Sequence, residues 1–220
     1  MPPLRYRYQT IEFGETDIHV RTLRDRQQFA DADGAAAALG IGDANWSLFG
    51  VIWAAGELLA RFMYDYEIEG QRILEVGCGI GLSSLVLNHR LADITATDYH
   101  PEAEQFLKAN TSLNQLRDIP FVRTNWNDPP TNLGQFDIII GSDLLYERGH
   151  PAQLAAFVNQ HANQACTVLV TDPGRGHHGR FSTCMMDLGY TYARTQPDYI
   201  AALTQPMRGA KRVHLLTYTR

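Results

Sequence analysis

The run Ile73-Leu-Glu75-Val76 opens into Gly77-Cys78-Gly79-Ile-Gly81, and an apolar helical pattern follows over 82–91. Alternating glycines between a strand and a helix dictate a tight βα turn. Glycine takes backbone angles closed to other residues and lets a ligand come close to the main chain. The next apolar run, Ile94-Thr-Ala-Thr97, ends at Asp98, about twenty residues past the first glycine. A carboxylate at that strand end can accept two hydrogen bonds from ribose hydroxyls. Together the two features predict a βαβ unit with a nucleotide-type ligand at its strand ends.

The rest of the chain continues the alternation. Pro101 suits the first position of a helix that runs through Phe106 and Leu107 to 113. Strands are predicted at 121–124, 136–140 and 167–171, and helices from Pro151 and over about 178–188, where Gly189 is a natural stop. Two last strands fall at 190–194 and 213–218, joined by a long loop over 195–212 of the kind that is often functional or disordered. Alternating strands and helices make this an α/β chain with a mostly parallel sheet covered on both faces, closed by an antiparallel edge strand.

Upstream, Leu48, Val51, Ile52, Ala55, Leu58, Leu59, Phe62 and Met63 recur at helical spacing and predict one helix over 48–63. Trp53 lies off that stripe, near Glu57. It is either packed under the N-terminal segment or a wall of a ligand pocket. Ile11, Phe13, Ile18 and Val20 alternate as in a hairpin, and 30–39 reads as a short alanine-rich helix.

Composition narrows the classes. With 220 residues and 45% hydrophobic content, the chain supports about one core. The net charge of -5 and the lack of a Lys/Arg stripe disfavour tight binding to long DNA or RNA. Three widely spaced cysteines form no disulfide framework and suit a reducing compartment. The N-terminus, Met1-Pro-Pro-Leu-Arg-Tyr-Arg-Tyr, has no apolar signal region, and the apolar run 48–56 is too short to span a membrane. The expectation is a cytoplasmic protein that engages no membrane; oligomeric state is left open. His177-His178 with Cys184 lack a second ligand pair, so no metal site is expected. Cys78 reads as a small apolar packing group, and Asp172-Pro-Gly-Arg175 as a plain turn in preference to a charged lip.

The glycine spacing fits neither frame of the dinucleotide pattern Gly-x-Gly-x-x-Gly, and no Gly-Lys-Ser/Thr follows it. Glu-x-Gly-x-Gly-x-Gly instead resembles motif I of the class I methyltransferases that use S-adenosylmethionine (SAM). That resemblance implies a Rossmann-like fold with a seven-stranded sheet. It places Gly77, Cys78 and Gly79 under the methionine part of SAM, with Gly81 completing the motif. Asp98 would hold the ribose, and Glu75 would hold the loop's backbone from beneath.

Two further segments narrow the resemblance. Asn125-Trp126 follows the third strand of the alternation, where an amide can pair with an adenine edge and an indole offers a flat surface. Gly141-Ser142-Asp143-Leu-Leu-Tyr146 follows the fourth, at the crevice of an open α/β sheet. With Gly50-Val-Ile-Trp53-Ala-Ala, these resemble the seven-β-strand protein lysine methyltransferases, the branch that includes the enzyme acting on the electron-transfer flavoprotein β subunit. The likeness covers about residues 48–172. It implies that Trp53, Trp126 and Ser142 line the SAM pocket and that Asp143 and Tyr146 border the acceptor. Asn-Pro-Pro-Tyr, which marks amide- and adenine-N6 methyltransferases, is absent. On this reading residues 1–45 are an N-terminal extension packed on the core and 46–220 the methyltransferase domain, acting on a protein lysine. The alternatives are a small-molecule N- or O-methyltransferase and a non-catalytic SAM-binding partner protein; the glycine spacing disfavours a nicotinamide oxidoreductase.

Overall fold

Two antiparallel strands, β1 (Tyr6–Phe13) and β2 (Thr16–Leu23), begin the computed structural model, which describes residues 4–128, 132–197 and 213–220. Side chains alternate along a strand, so Ile11, Phe13, Ile18 and Val20 share one face, and all four are buried. The hairpin is fastened through its main chain. Asn114 accepts the His19 N–H at 2.8 Å and donates to the His19 carbonyl at 2.7 Å, while Asn110 accepts the Arg21 N–H. The short helix α1 (Ala35–Ala38) follows, its Ala36 and Ala37 N–H groups held by the Asp31 carboxylate.

The predicted helix over 48–63 is not continuous. The chain forms α2 (Asp43–Trp46), a 3-10 turn (Ser47–Gly50), an extended stretch at 51–53, and only then α3 (Ala54–Asp65). Long-range packing breaks it. Phe49 stacks on the His100 ring at 3.9 Å, and Gly50 faces Leu23 so closely that a Cβ would lie 2.5 Å from its Cδ1. Trp53 is the N-cap residue of α3, and its indole N–H donates to the Leu48 carbonyl at 2.9 Å, satisfying an acceptor at the break. Glu57, which sequence placed off the apolar stripe, is fully buried and ion-paired with Arg61 at 2.8 Å. Taken through the break, Asp43–Asp65 is apolar and long enough to cross a membrane by length and composition, unlike the run 48–56; 61% of its most apolar window is buried in the protein.

The sheet then builds in sequence: β3 (Arg72–Val76), α4 (Leu82–His89), β4 (Asp93–Asp98), α5 (Ala103–Leu113), β5 (Phe121–Arg123), β6 (Phe136–Ser142), α6 (His150–His161), β7 (Ala162–Asp172), α7 (His178–Asp187), β8 (Thr191–Thr195) and β9 (His214–Thr219). Most boundaries shift by one or two residues, and two differ in kind. Pro101 lies in a turn before α5, and β7 starts at Ala162, directly after α6, pairing there with Phe136 across a register shift between Phe136 and Ile138. Most of the 195–212 loop lies outside the described residues.

Strand order is β5-β4-β3-β6-β7-β9-β8, with β9 antiparallel to both neighbours and the other pairs parallel. One face, carrying Ile73, Ile94, Ile138 and Ile140, packs with the hairpin, α3, α4 and α5. The other, carrying Leu74, Val76, Ile139 and Val168, packs with α6 and α7. The chain leaves β3 in opposite directions, so the crevice opens at the carboxyl ends of β3 and β6.

Candidate functional site

A cleft of about 760 Å³ lies over those strand ends. Its floor is the glycine turn. Gly77 and Gly79 line it with φ of 63° and 55°, and a Cβ on Gly79 would fall 2.8 Å from the Phe49 carbonyl oxygen. Asp98 clamps the turn: one carboxylate oxygen accepts the Gly79 N–H and the other the His100 N–H, each at 2.8 Å. Each oxygen keeps lone-pair capacity for a ligand. Burial pushes the Asp98 carboxyl up, and the main-chain N–H bonds pull it down.

Glu75 does not hold the loop itself. Its carboxylate accepts the Ser84 N–H at 2.9 Å and the Ser84 hydroxyl, so it caps the first turn of α4. Desolvation raises it to about 7. Gly81 also departs from expectation. It is the left-handed N-cap residue of α4, lies off the cleft, and leaves room for Leu107, whose Cδ1 would be 2.3 Å from a Cβ. Cys78 lines the cleft but is buried, and desolvation pushes its thiol well above the ordinary value, which suits a packing group and not a nucleophile.

Trp53 lines the cleft, and the Arg26 guanidinium of the N-terminal segment sits 4.4 Å above its ring. Asn125 lines the cleft too, but its side-chain oxygen accepts the Asn127 N–H at 3.0 Å, so it also shapes its own turn. Phe49 and His100 add a stacked wall, and burial holds His100 down to about 4, a neutral imidazole.

The cleft is also lined by Trp126, Ser142, Asp143, Tyr146, His150 and Arg175. Rings of Trp126 and Tyr146 meet the His150 ring edge-on at 5.0 and 4.6 Å. His150 Nδ1 lies 2.7 Å from the Leu144 carbonyl, which makes that nitrogen the donor. Desolvation, then the Glu147, Asp98 and Asp143 carboxylates, push the Tyr146 phenol up to about 12. Asp143 has a left-handed backbone, φ 53°, and donates its N–H to the Thr171 carbonyl at 2.8 Å. Its carboxylate is gripped by Arg175 in two bonds of 2.6 Å. The turn at 172–175 is therefore a charged lip and not a plain turn.

Sequence reading thus ranked Arg175 below a plain turn, and it missed His150, Phe49 and His100 at the cleft and Ser84 beneath it. Only Arg175, set between Gly174 and Gly176 after a strand end, carried a local signal. His178 sits 3.5 Å from Asp172, and among the described residues no cluster of three His, Cys, Asp or Glu could hold a metal.

A family model described as lysine methyltransferase matches residues 41–182. The electron transfer flavoprotein beta subunit lysine methyltransferase of Danio rerio is 31% identical over 140 residues, 60% of this chain and 51% of that protein. Protein N-lysine methyltransferase METTL21A of the same fish is 30% identical over 57% of this chain and 62% of its own length. The calmodulin-lysine N-methyltransferase of Arabidopsis thaliana is 26% identical over 66% of this chain and 52% of its own. The chain thus spans little more than half the length of these curated relatives. Among solved structures, the Thermus thermophilus 16S rRNA N2 G1207 methyltransferase, in complex with AdoMet and guanosine, superposes with TM-score 0.68 at 11% identity, covering 100% of this chain and 51% of that one. The precorrin-6y C5,15-methyltransferase of Geobacter metallireducens superposes with TM-score 0.57 at 12% identity, over 75% and 88%. These likenesses establish the Rossmann-like class I methyltransferase fold.

Proposed function

Because this chain belongs to the lysine methyltransferase family, we propose that it transfers a methyl group from SAM to the side-chain nitrogen of a lysine in a protein substrate. The observation that carries the reading is one continuous cleft lined both by the glycine turn with Asp98 and by Asp143 with Tyr146. Three free cysteines and a net charge of -5 fit a cytoplasmic protein that does not hold nucleic acid.

The donor end fits SAM. Gly77 and Gly79 present bare main chain at the floor, and Asp98 keeps acceptor capacity where a ribose would lie. Trp53 and Asn125 supply a flat and a polar wall, and Trp126 and Ser142 line the same cleft where donor and acceptor would meet. When bound, SAM supplies an electrophilic methyl group on a sulfonium. The protein's own work is binding, alignment and control of the acceptor's proton.

A lysine amine must be neutral to react, and its free pKa is about 10.4. An ammonium beside the Asp143 carboxylate must give its proton to water before transfer, and the partial desolvation supplied by Trp126 and His150 next to the half-exposed Tyr146 aids that loss. Tyr146, held up at about 12, keeps its hydroxyl proton and orients the amine by hydrogen bonding. Asp143 fixes the approach from the β6 strand end. Holding reacting atoms about 3–3.5 Å apart and in line is itself a large part of the acceleration.

The test is a transfer assay with methyl-labelled SAM, a desalted lysate and an added metabolite fraction, with Gly79→Arg as the blank. A labelled protein band that is absent from the blank, with methyl-lysine on digestion, is the expected result. Label confined to small molecules overturns the lysine reading in favour of a small-molecule methyltransferase.

A further inference from the structure

Asp143 does not present a bare carboxylate to the cleft. Arg175 Nε donates to Oδ1 and Nη2 to Oδ2, both at 2.6 Å, so the guanidinium takes the two oxygens side by side. The two partners are unequally placed. The Asp143 side chain is 9% exposed and that of Arg175 41% exposed. The anion is sunk in the wall, and its cation lies on the lip.

Their supports are unequal too. Asp143 is pinned by its N–H bond to Thr171 and by the β6 strand that ends beside it. Arg175 sits between Gly174 and Gly176, with φ of 85° and 91°, and at neither glycine would a Cβ meet any atom within 4 Å. A fixed anion therefore faces a cation in a glycine-flanked turn that is open on its outer side and tied to the fold through the Gly174 N–H, which donates to the Asp172 carboxylate at 2.9 Å.

We infer that Arg175 occupies the acceptor's place on Asp143, and that the acceptor's cationic side chain displaces it, so that Arg175 selects which acceptors enter. The inference rests on the proposed role of Asp143 at the acceptor end of the cleft. A carboxylate clasped on both oxygens has no room on that edge for a second cation, and two cations on one anion repel. Exchange of one cation for another never leaves the sunken carboxylate unpaired, the state that would be costly. The released guanidinium is already partly in water, so its loss costs little. A neutral side chain, an alcohol or an amide, offers Asp143 no replacement charge and leaves the latch closed.

The test uses n-butylammonium, the lysine side chain cut at its Cβ, titrated into SAM-loaded protein and followed by NMR. The wild type is compared with Arg175→Gln, Arg175→Lys, Asp143→Asn and the double variant Arg175→Gln/Asp143→Asn. SAM affinity measured by calorimetry confirms that each variant is folded. Arg175→Gln is expected to bind the probe roughly fivefold more tightly than wild type, the scale of removing a partly exposed competing ion pair. Arg175→Lys, with one point charge in place of a two-pronged clasp, is expected between the two. The gain should vanish on the Asp143→Asn background, and n-butanol should show no gain. Equal, weaker or undetectable binding by Arg175→Gln overturns the inference, as does a gain that survives Asp143→Asn. Failure of the methyl-transfer assay is a separate result, because this titration reads binding and not turnover.

Discussion

Glu75 and Ser84 are locked across the glycine turn: one buried carboxylate oxygen accepts both the main-chain N–H of Ser84 and its hydroxyl. The pair ties the end of β3 to the start of α4 and so sets the floor of the cleft. Burial lifts Glu75 from 4.5 to about 7, so between those values the folded protein binds more protons than the unfolded chain. Its contribution to stability is full below 4.5, falls as pH rises, and is lost above about 7. Glu75→Gln stays neutral and still offers Ser84 a carbonyl acceptor. From low to high pH the wild type should lose on the order of 3 kcal/mol relative to this variant. Urea unfolding of both proteins from about pH 5 to about pH 8 checks this; parallel curves would remove Glu75 as the source.

Asp98 is asked to serve two masters, the main chain of the turn and the ligand. Asp98→Ala should weaken SAM binding by about 1.5–3 kcal/mol, the loss expected for a charged hydrogen-bonding partner. Asp98→Asn should not restore it, because its carboxamide would turn an N–H₂ toward either the Gly79 or the His100 N–H. Calorimetry that finds SAM affinity unaltered in the alanine variant would refute the ribose assignment.

Legibility in the sequence follows the range of the interactions. The βα turn, Asp98, the sheet strands and the hairpin are written in local periodicity and glycine placement, and all fall within about two residues of where they were read except β7, which begins at Ala162 and not 167. The break at 51–53 is not local. It comes from Phe49 against His100 and from Gly50 against Leu23, partners that no helical window contains. A periodic stripe survived because Ala55, Leu58, Leu59 and Met63 belong to α3, while Ile52 is buried for a different reason, as part of an extended segment. The same limit hid the acceptor end. Asp143 and Tyr146 share one motif, but Arg175 reaches Asp143 only through the β6–β7 pairing that brings Thr171 beside it.

The glycines of the turn are predicted to separate by function. Both Gly79 and Gly81 have positive φ, so alanine at either costs roughly 1–2 kcal/mol of backbone strain. At Gly81 the new methyl meets the flexible end of Leu107, away from the cleft; at Gly79 it meets the Phe49 main-chain carbonyl and stands on the cleft floor. Gly81→Ala should therefore lower Tm with SAM affinity nearly kept. Gly79→Ala should lower both. Equal losses of SAM affinity in the two variants, measured by calorimetry beside thermal unfolding, would return Gly81 to the binding site.

The acceptor end gives the sharpest separation of binding from transfer. On the proposed reading Tyr146 and Asp143 serve the acceptor and not the donor, so Tyr146→Phe and Asp143→Ala should leave SAM affinity within about twofold while lowering kcat by about tenfold to a hundredfold, the worth of one hydrogen bond made to the reacting group. The pH profile adds a second reading. A phenol held up at about 12 stays protonated throughout the working range, so its removal takes away a hydrogen bond and no titrating group. Tyr146→Phe should thus lower the whole kcat profile without moving its limbs. A limb that shifts in this variant would mean that the phenol itself exchanges the acceptor's proton, and the role of Tyr146 would change from orienting group to base.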